Sequence, residues 1–320
     1  MKIRIMRIIL SLFFSIILPN LVFGQFSNFN TQRNWSMNKK EFIIGGGATQ
    51  FLGDLGGGEG TGKDYSMSDL DLRTTNFNIT VGYRYRFHPF FATSTSFNFG
   101  KYTASDKLTL NEVRNARQID IQSFLFSLSQ RFEYLVYVEE KVGKRNRLPG
   151  LRGVNDKNVQ LYIFAGIGGC YFNPRGGVRS KYPGEELRLL STEGQGYIGG
   201  ANAYRRVTAI IPIGFGYRRG LNRMWRVMIE ATYFKTFTDY MDDVSTTYFD
   251  YNANGISASE QAIYFANPSE DWQRFNNGSQ RGDRQKDAFF YLNVMFVKNV
   301  TYKSYERGRS IKWRGQRTKF

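Results

Sequence analysis

Three observations predict an all-β fold, an eight-stranded antiparallel transmembrane β-barrel. Eight segments alternate apolar and polar residues. No internal apolar run reaches the roughly 18 residues that a membrane-spanning helix needs. Long and short connections alternate between the segments. Phe, Tyr and Trp together make up 16% of the 320 residues, the aromatic wealth that strands and interfacial girdles require.

The predicted strands lie near 41–51, 75–87, 90–103, 119–134, 159–172, 206–219, 224–237 and 286–299. In the second, Phe77, Ile79, Val81, Tyr83, Tyr85 and Phe87 share one face, and Asn76, Asn78, Thr80, Gly82, Arg84 and Arg86 share the other. The third sets Phe97 and Phe99 against Ser94, Ser96 and Asn98. The fourth sets Phe124, Phe126 and Leu128 against Ser127, Ser129, Arg131 and Glu133. The fifth holds Gly166, Gly168 and Gly169, which in a strand mark curvature or close packing. The sixth and seventh add Arg218, Arg226 and Glu230 to the polar face, and the eighth aligns Phe290, Leu292, Val294 and Phe296.

An even number of such strands suits a closed barrel without exposed edges. Alternation alone leaves open whether the apolar face points in, around a ligand, or out, toward lipid. Aromatics near strand ends, charges on the polar face and the loop lengths favour the lipid-facing choice. The first, third, fifth and seventh connections (52–74, 104–118, 173–205 and 238–285) are long. The second is a His88-Pro89 corner and the sixth a turn at 220–223. The fourth, 138–158, breaks the rule.

Residues 1–24 read as a signal peptide. Lys2, Arg4 and Arg7 form the basic region, Ile8 to Leu18 the apolar stretch, and cleavage is expected after Gly24. Residues 25–40 then form an N-terminal periplasmic segment, 41–299 the barrel, and 300–320 a basic periplasmic tail. Both termini are expected in the periplasm and the long loops outside. One cysteine, Cys170, allows no intrachain disulfide.

Charge is divided between the two ends. The seventh connection is acidic. The fourth carries Lys144, Arg145, Arg147 and Arg152, and the tail carries Arg307, Arg309, Lys312 and Arg314. These eight residues are candidates for binding a periplasmic partner, or for resting over anionic lipid and lipopolysaccharide. Nucleic acid is not expected as a partner of an exported chain.

Catalytic signals are weak. Gly57 to Lys63 has P-loop-like spacing but Asp64 stands where the Mg²⁺-binding hydroxyl belongs. One His and one Cys cannot build the usual zinc site. The only His lies at the short-turn end, away from where acyl chemistry on outer-leaflet lipid would need it. Asp239, Asp242 and Asp243 could bind Ca²⁺, but EF-hand spacing is absent, so a hydrogen-bonded structural loop motif is the preferred reading. Arg281-Gly282-Asp283 reads as a chance match. No catalytic, cofactor-binding or metal-ligating residue is expected, and no cofactor.

The run Thr236-Phe-Thr-Asp239-Tyr-Met-Asp242-Asp243-Val-Ser-Thr-Thr-Tyr248 resembles the signature of the PorG-like family of outer-membrane barrels of the type IX secretion apparatus, which also supports gliding motility. Phe51-Leu-Gly-Asp-Leu55, Ala165 to Pro174, Ser191-Thr-Glu-Gly-Gln-Gly196 and Ile211-Pro-Ile-Gly-Phe-Gly216 are similar in order, so the resemblance spans roughly 40–299. It implies a non-enzymatic barrel that anchors a periplasmic ring, built from a lipoprotein and its soluble partner, to the outer membrane. The basic fourth connection and tail match no family pattern. The alternatives are a stand-alone small barrel and an outer-membrane lipid-modifying enzyme.

Overall fold

The structure, a computed structural model, describes residues 35, 39–55, 72–109, 111–138, 159–197, 200–221, 224–271, 273–283 and 285–300. The expected leader, the eight basic partner-binding candidates and the Gly57–Lys63 run lie outside them.

Eight long strands build the molecule: β1 (Lys40–Leu52), β2 (Asn76–Arg86), β3 (Phe91–Ser105), β4 (Asp120–Val138), β5 (Val159–Phe172), β7 (Val207–Gly220), β8 (Trp225–Thr236) and β9 (Ala288–Asn299). A two-residue strand, β6 (Arg175–Gly176), adds to the edge of β4 at Ile121 and Gln122. Every long strand pairs antiparallel with its neighbour, and β9 returns to β1 from Glu41↔Asn299 to Leu52↔Ala288. The barrel is therefore closed. The fourth strand runs to Val138, past the expected residue 134, beyond a register shift between Leu135 and Tyr137. Short helices at Glu112–Arg117, Leu187–Leu190 and Glu260–Ala266 went unpredicted because one or two turns carry too little periodicity to read.

Burial decides the faces. Leu128 is 57% exposed, whereas Ser127 and Ser129 beside it are 1% exposed. The same holds around the wall: Phe42, Ile79, Val81, Phe97, Ile163, Phe215 and Phe296 point outward, and Glu41, Arg84, Arg131, Glu133, Arg218, Arg226 and Glu230 point inward. A continuous apolar exterior of this kind is a lipid-facing surface, not a water-facing one. One polar trio interrupts it: Gln130 accepts from Thr95 and donates to Thr93, so its amide is satisfied within the wall.

The lumen is filled in layers. Toward the turn end, Glu41 bridges Arg84 at 2.9 Å, Arg226 at 2.9 Å and Arg218 at 3.5 Å, and Arg84 meets Glu133 at 2.5 Å. Arg131 pairs with Glu230, which also accepts from the Tyr162 hydroxyl at 2.7 Å. Above lie Ser96–Ser129 and Asn98–Ser127 contacts. Toward the loop end, Tyr102, Phe172, Phe234, Phe289 and Tyr291 form an aromatic plug. We expect single-channel recordings in planar bilayers to lack porin-like conductance; steady large-conductance openings would show that these layers move aside.

The glycines of β7 serve this filling. A Cβ on Gly216 would stand 2.2 Å from the Tyr162 ring, and one on Gly214 would stand 2.6 Å from Phe164. Tyr162 cannot yield easily, because its hydroxyl is held by Glu230 and Arg218 lies 5.0 Å from its ring centre. Gly216→Val is expected to destabilise the barrel by about 1–3 kcal/mol through overpacking. Urea unfolding followed by heat-modifiable gel mobility would measure it, with Ser127→Ala as a mild comparison.

Candidate functional site

The connections at the loop end fold into a cap over the barrel mouth. Leu187, Tyr204, Met241, Val244 and Phe265 from the connections share one apolar cluster with Phe51, Tyr102, Phe289 and Tyr291 of the barrel. Tyr204 stacks on Tyr240 with ring centres 4.7 Å apart, and the Tyr102 hydroxyl donates to the Met241 carbonyl at 2.5 Å.

A polar knot organises the cap. The Glu193 carboxylate accepts from the backbone N–H groups of Ser245 (2.9 Å) and Thr246 (3.1 Å) and from the Thr246 hydroxyl (2.7 Å). Arg281 reaches Glu193 at 3.3 Å and donates to the carbonyls of Asp243 (2.8 Å) and Phe265 (3.1 Å). The Asp243 carboxylate accepts from Thr192 at 2.5 Å and from Tyr204 at 2.6 Å. Asp243 also takes a left-handed backbone conformation, with φ of 62°. These contacts hold a bend that an unsupported non-glycine residue rarely adopts. Arg117 fastens the other side, donating to the carbonyls of Asp54 (2.7 Å) and Arg281 (2.9 Å) and pairing with Asp106 at 3.0 Å.

Beside the knot lies a group of carboxylates. One oxygen each from Asp54, Asp239 and Asp283 lies within 4.8 Å of the others. The Asp283 N–H donates to Asp54 Oδ2 at 2.9 Å, and Gly282 packs so close that a Cβ there would meet that oxygen at 2.6 Å. Asp242 and Asp287 are 0% and 1% exposed. Each spends one oxygen on a backbone N–H: Asp242 Oδ1 on Val244 at 3.0 Å, Asp287 Oδ2 on Met241 at 2.8 Å. Burial, and then the neighbouring carboxylates, raise the pKa of both. Burial pushes Asp54 up to about 8 and Asp239 up to about 7. Asp243 rises only to about 6, because Arg281, Thr192 and Tyr204 oppose the burial.

The structure thus divides the sequence-predicted trio. Asp243 belongs to the knot, while Asp239 and Asp242 belong to the carboxylate group. Glu193, Arg281, Asp54 and Asp287 share in these contacts and were not among the candidate site residues read from the sequence. Arg281-Gly282-Asp283 is no displayed tripeptide, since Arg281 and Gly282 are buried; Arg281 belongs to the knot and Asp283 to the carboxylate group. His88, the sole histidine, sits in the β2–β3 corner at the opposite end of the barrel, where its N–H and carbonyl exchange hydrogen bonds with Phe91.

A closed, lipid-facing wall with a side-chain-filled lumen and a folded cap defines a membrane-spanning β-barrel. No protein-family model matches the chain, and no curated protein matches it. Among solved structures, the attachment invasion locus protein Ail of Yersinia pestis, in complex with the heparin analogue sucrose octasulfate, is similar at 12% identity. That match covers 81% of this chain and 98% of Ail, with a TM-score of 0.31. The outer membrane protein OprG from Pseudomonas aeruginosa is similar at 8% identity over 82% and 98%, with a TM-score of 0.34. The N-terminal β-barrel domain of OprF from the same organism is similar at 11% over 81% and 98%, with a TM-score of 0.30. The membrane-spanning assignment rests on the barrel's own pairing and faces.

Proposed function

We propose that this chain is a bacterial outer-membrane barrel acting as a non-enzymatic anchor, which holds a periplasmic ring of the type IX secretion machinery against the membrane. The observation that carries the reading is convergence. The three loop pieces that resemble the PorG-like family, 51–55, 191–196 and 236–248, meet in one cap through Asp54, Glu193, Asp243 and Thr246. The two glycine pieces, 165–174 and 211–216, pair with each other across β5 and β7. The resemblance therefore falls on residues that build one structure, which is what a scaffold family retains. A rigid closed barrel is a suitable anchor, because every backbone polar group within lipid must be paired.

The basic segments fit the same reading. β4 ends and β5 begins at the turn end, where β9 also ends, and residues 139–158 and the tail after Val300 adjoin these strand ends in the sequence. On this proposal that end faces the periplasm, and Lys144, Arg145, Arg147, Arg152, Arg307, Arg309, Lys312 and Arg314 meet the ring lipoprotein and its soluble partner. A second reading, a stand-alone small barrel, draws support from closure itself: among the described residues, each long strand pairs on both sides.

Affinity purification of the tagged protein from detergent-solubilised envelopes separates them. The anchor reading expects stoichiometric recovery of ring subunits, with at least a several-fold loss when Arg307, Arg309, Lys312 and Arg314 are all changed to Glu in a barrel that still folds. Undiminished recovery would remove the tail from the contact. Recovery of the barrel alone, under washes that preserve a control complex, would favour the stand-alone barrel.

A further inference from the structure

The carboxylates beside the polar knot are an unusual arrangement for a folded interior. Asp54 leaves the end of β1, Asp239 follows β8, and Asp283 precedes β9. The fold brings them to one place although the Asp54–Asp283 hydrogen bond spans 229 positions. Their oxygens lie within 4.8 Å of one another, graded from buried Asp54 through half-buried Asp239 to exposed Asp283. One side of the group is therefore open to solvent and the other closed.

The closed side supplies an independent observation. Asp242 Oδ2 and Asp287 Oδ1 are buried side-chain oxygens without a hydrogen-bond partner. Both residues are essentially inaccessible, and both feel the charge of Asp54 and Asp239. Asp287 Oδ1 also lies against Gly53, the residue before Asp54: a Cβ on that glycine would stand 2.4 Å away. A buried carboxylate oxygen without a donor is costly, and neighbouring carboxylates add to the cost. The buried guanidinium groups of the cap are engaged elsewhere, Arg117 with Asp106 and Arg281 with Glu193.

We infer that Asp54, Asp239 and Asp283, with the buried carboxylates of Asp242 and Asp287 nearby, form a divalent-cation site suited to Ca²⁺. The donors are all oxygen, which selects a hard cation over zinc. They come from two connections distant in sequence, the first and the seventh, which fits the irregular, many-oxygen shell of Ca²⁺ better than the strict octahedron of Mg²⁺. Backbone carbonyls and water would complete the shell at the open side. A cation there ties the first and seventh connections together and thereby fastens the cap, without touching the turn end proposed to meet the ring.

The test uses the full-length mature protein in detergent micelles, stripped with EGTA and then titrated with CaCl₂ by calorimetry. We expect saturable binding of one ion with a Kd of about 10⁻⁵–10⁻³ M, the span of moderate to weak oxygen sites. Asp54→Asn and Asp239→Asn should each weaken binding at least tenfold. Glu260→Gln, an exposed acid elsewhere in the cap, should leave it unchanged. Because either Asn variant could misfold, the stripped wild type is also titrated with Tb³⁺. Tyrosine-sensitised luminescence, with Tyr240 beside Asp239, should appear and be displaced by excess Ca²⁺. Absence of saturable Ca²⁺ binding by the folded wild type, or unchanged binding in folded Asn variants, would overturn the assignment.

Discussion

Glu193→Ala should release the cap while leaving the barrel closed. The substitution strands the N–H groups of Ser245 and Thr246 and removes the carboxylate opposite Arg281, all in a buried setting. Breaking one side of a buried, hydrogen-bonded ion pair typically costs about 3–5 kcal/mol. None of these groups belongs to a long strand, so the loss falls on the cap. Trypsin should then cleave within the cap, at Arg188 and Arg274, far faster than in the wild type. The heat-modifiable band of the folded barrel should persist. Glu193→Gln keeps one acceptor oxygen and should show intermediate protection. Equal protease resistance in all three proteins would mean that apolar packing alone, through Met241, Val244 and Phe265, holds the cap down.

Glu41→Ala should act on the barrel itself. Its carboxylate lies among Arg84, Arg218 and Arg226 in a lumen where five arginines face three glutamates. Without it the three guanidinium groups face one another with less opposing charge. A loss of about 3–5 kcal/mol is expected, seen as a lower urea midpoint for the folded band. The explanation has a specific check. Adding Arg226→Met to Glu41→Ala should restore part of the loss, because removing both partners avoids a stranded charge. A double variant as unstable as the sum of the two single variants would place the role of Glu41 in strand pairing with Asn299 and Arg84, outside the ion network.

Together the two variants separate the parts of the molecule. Glu41→Ala reads what the lumen network contributes to the wall, and Glu193→Ala reads what the Glu193–Arg281 knot contributes to the cap. The Ca²⁺ titration addresses a third element, and the envelope purification addresses the turn end. Each reads a different region, so failure of one leaves the others standing.

What was legible in the sequence follows from local geometry. A strand repeats every two residues, so Phe77 to Phe87 and Asn76 to Arg86 must lie on opposite faces whatever the fold. Eight such segments with long and short connections were enough for strand number, strand bounds within a few residues and antiparallel order. The tight corner at His88-Pro89 was legible because proline and chain reversal are local events. The knot was less legible. Asp239, Asp242 and Asp243 stood out as a cluster, but nothing in their spacing distinguishes Asp243, which bonds Thr192 and Tyr204, from Asp242, which accepts from the Val244 N–H. Glu193 and Arg281 look like ordinary loop charges until the fifth and seventh connections are brought together.

Sequence by itself therefore determined the alternation and the strand count, because each depends on neighbours within a few positions along the chain. Tertiary structure alone decided that Glu41 answers arginines from β2, β7 and β8, that Tyr162 lies over Gly216, and that Asp54 meets Asp239 and Asp283. Those contacts exist only after β9 closes onto β1 and the long connections fold over the mouth. Their energies come from desolvation and charge pairing between distant segments, and no local pattern encodes such pairings.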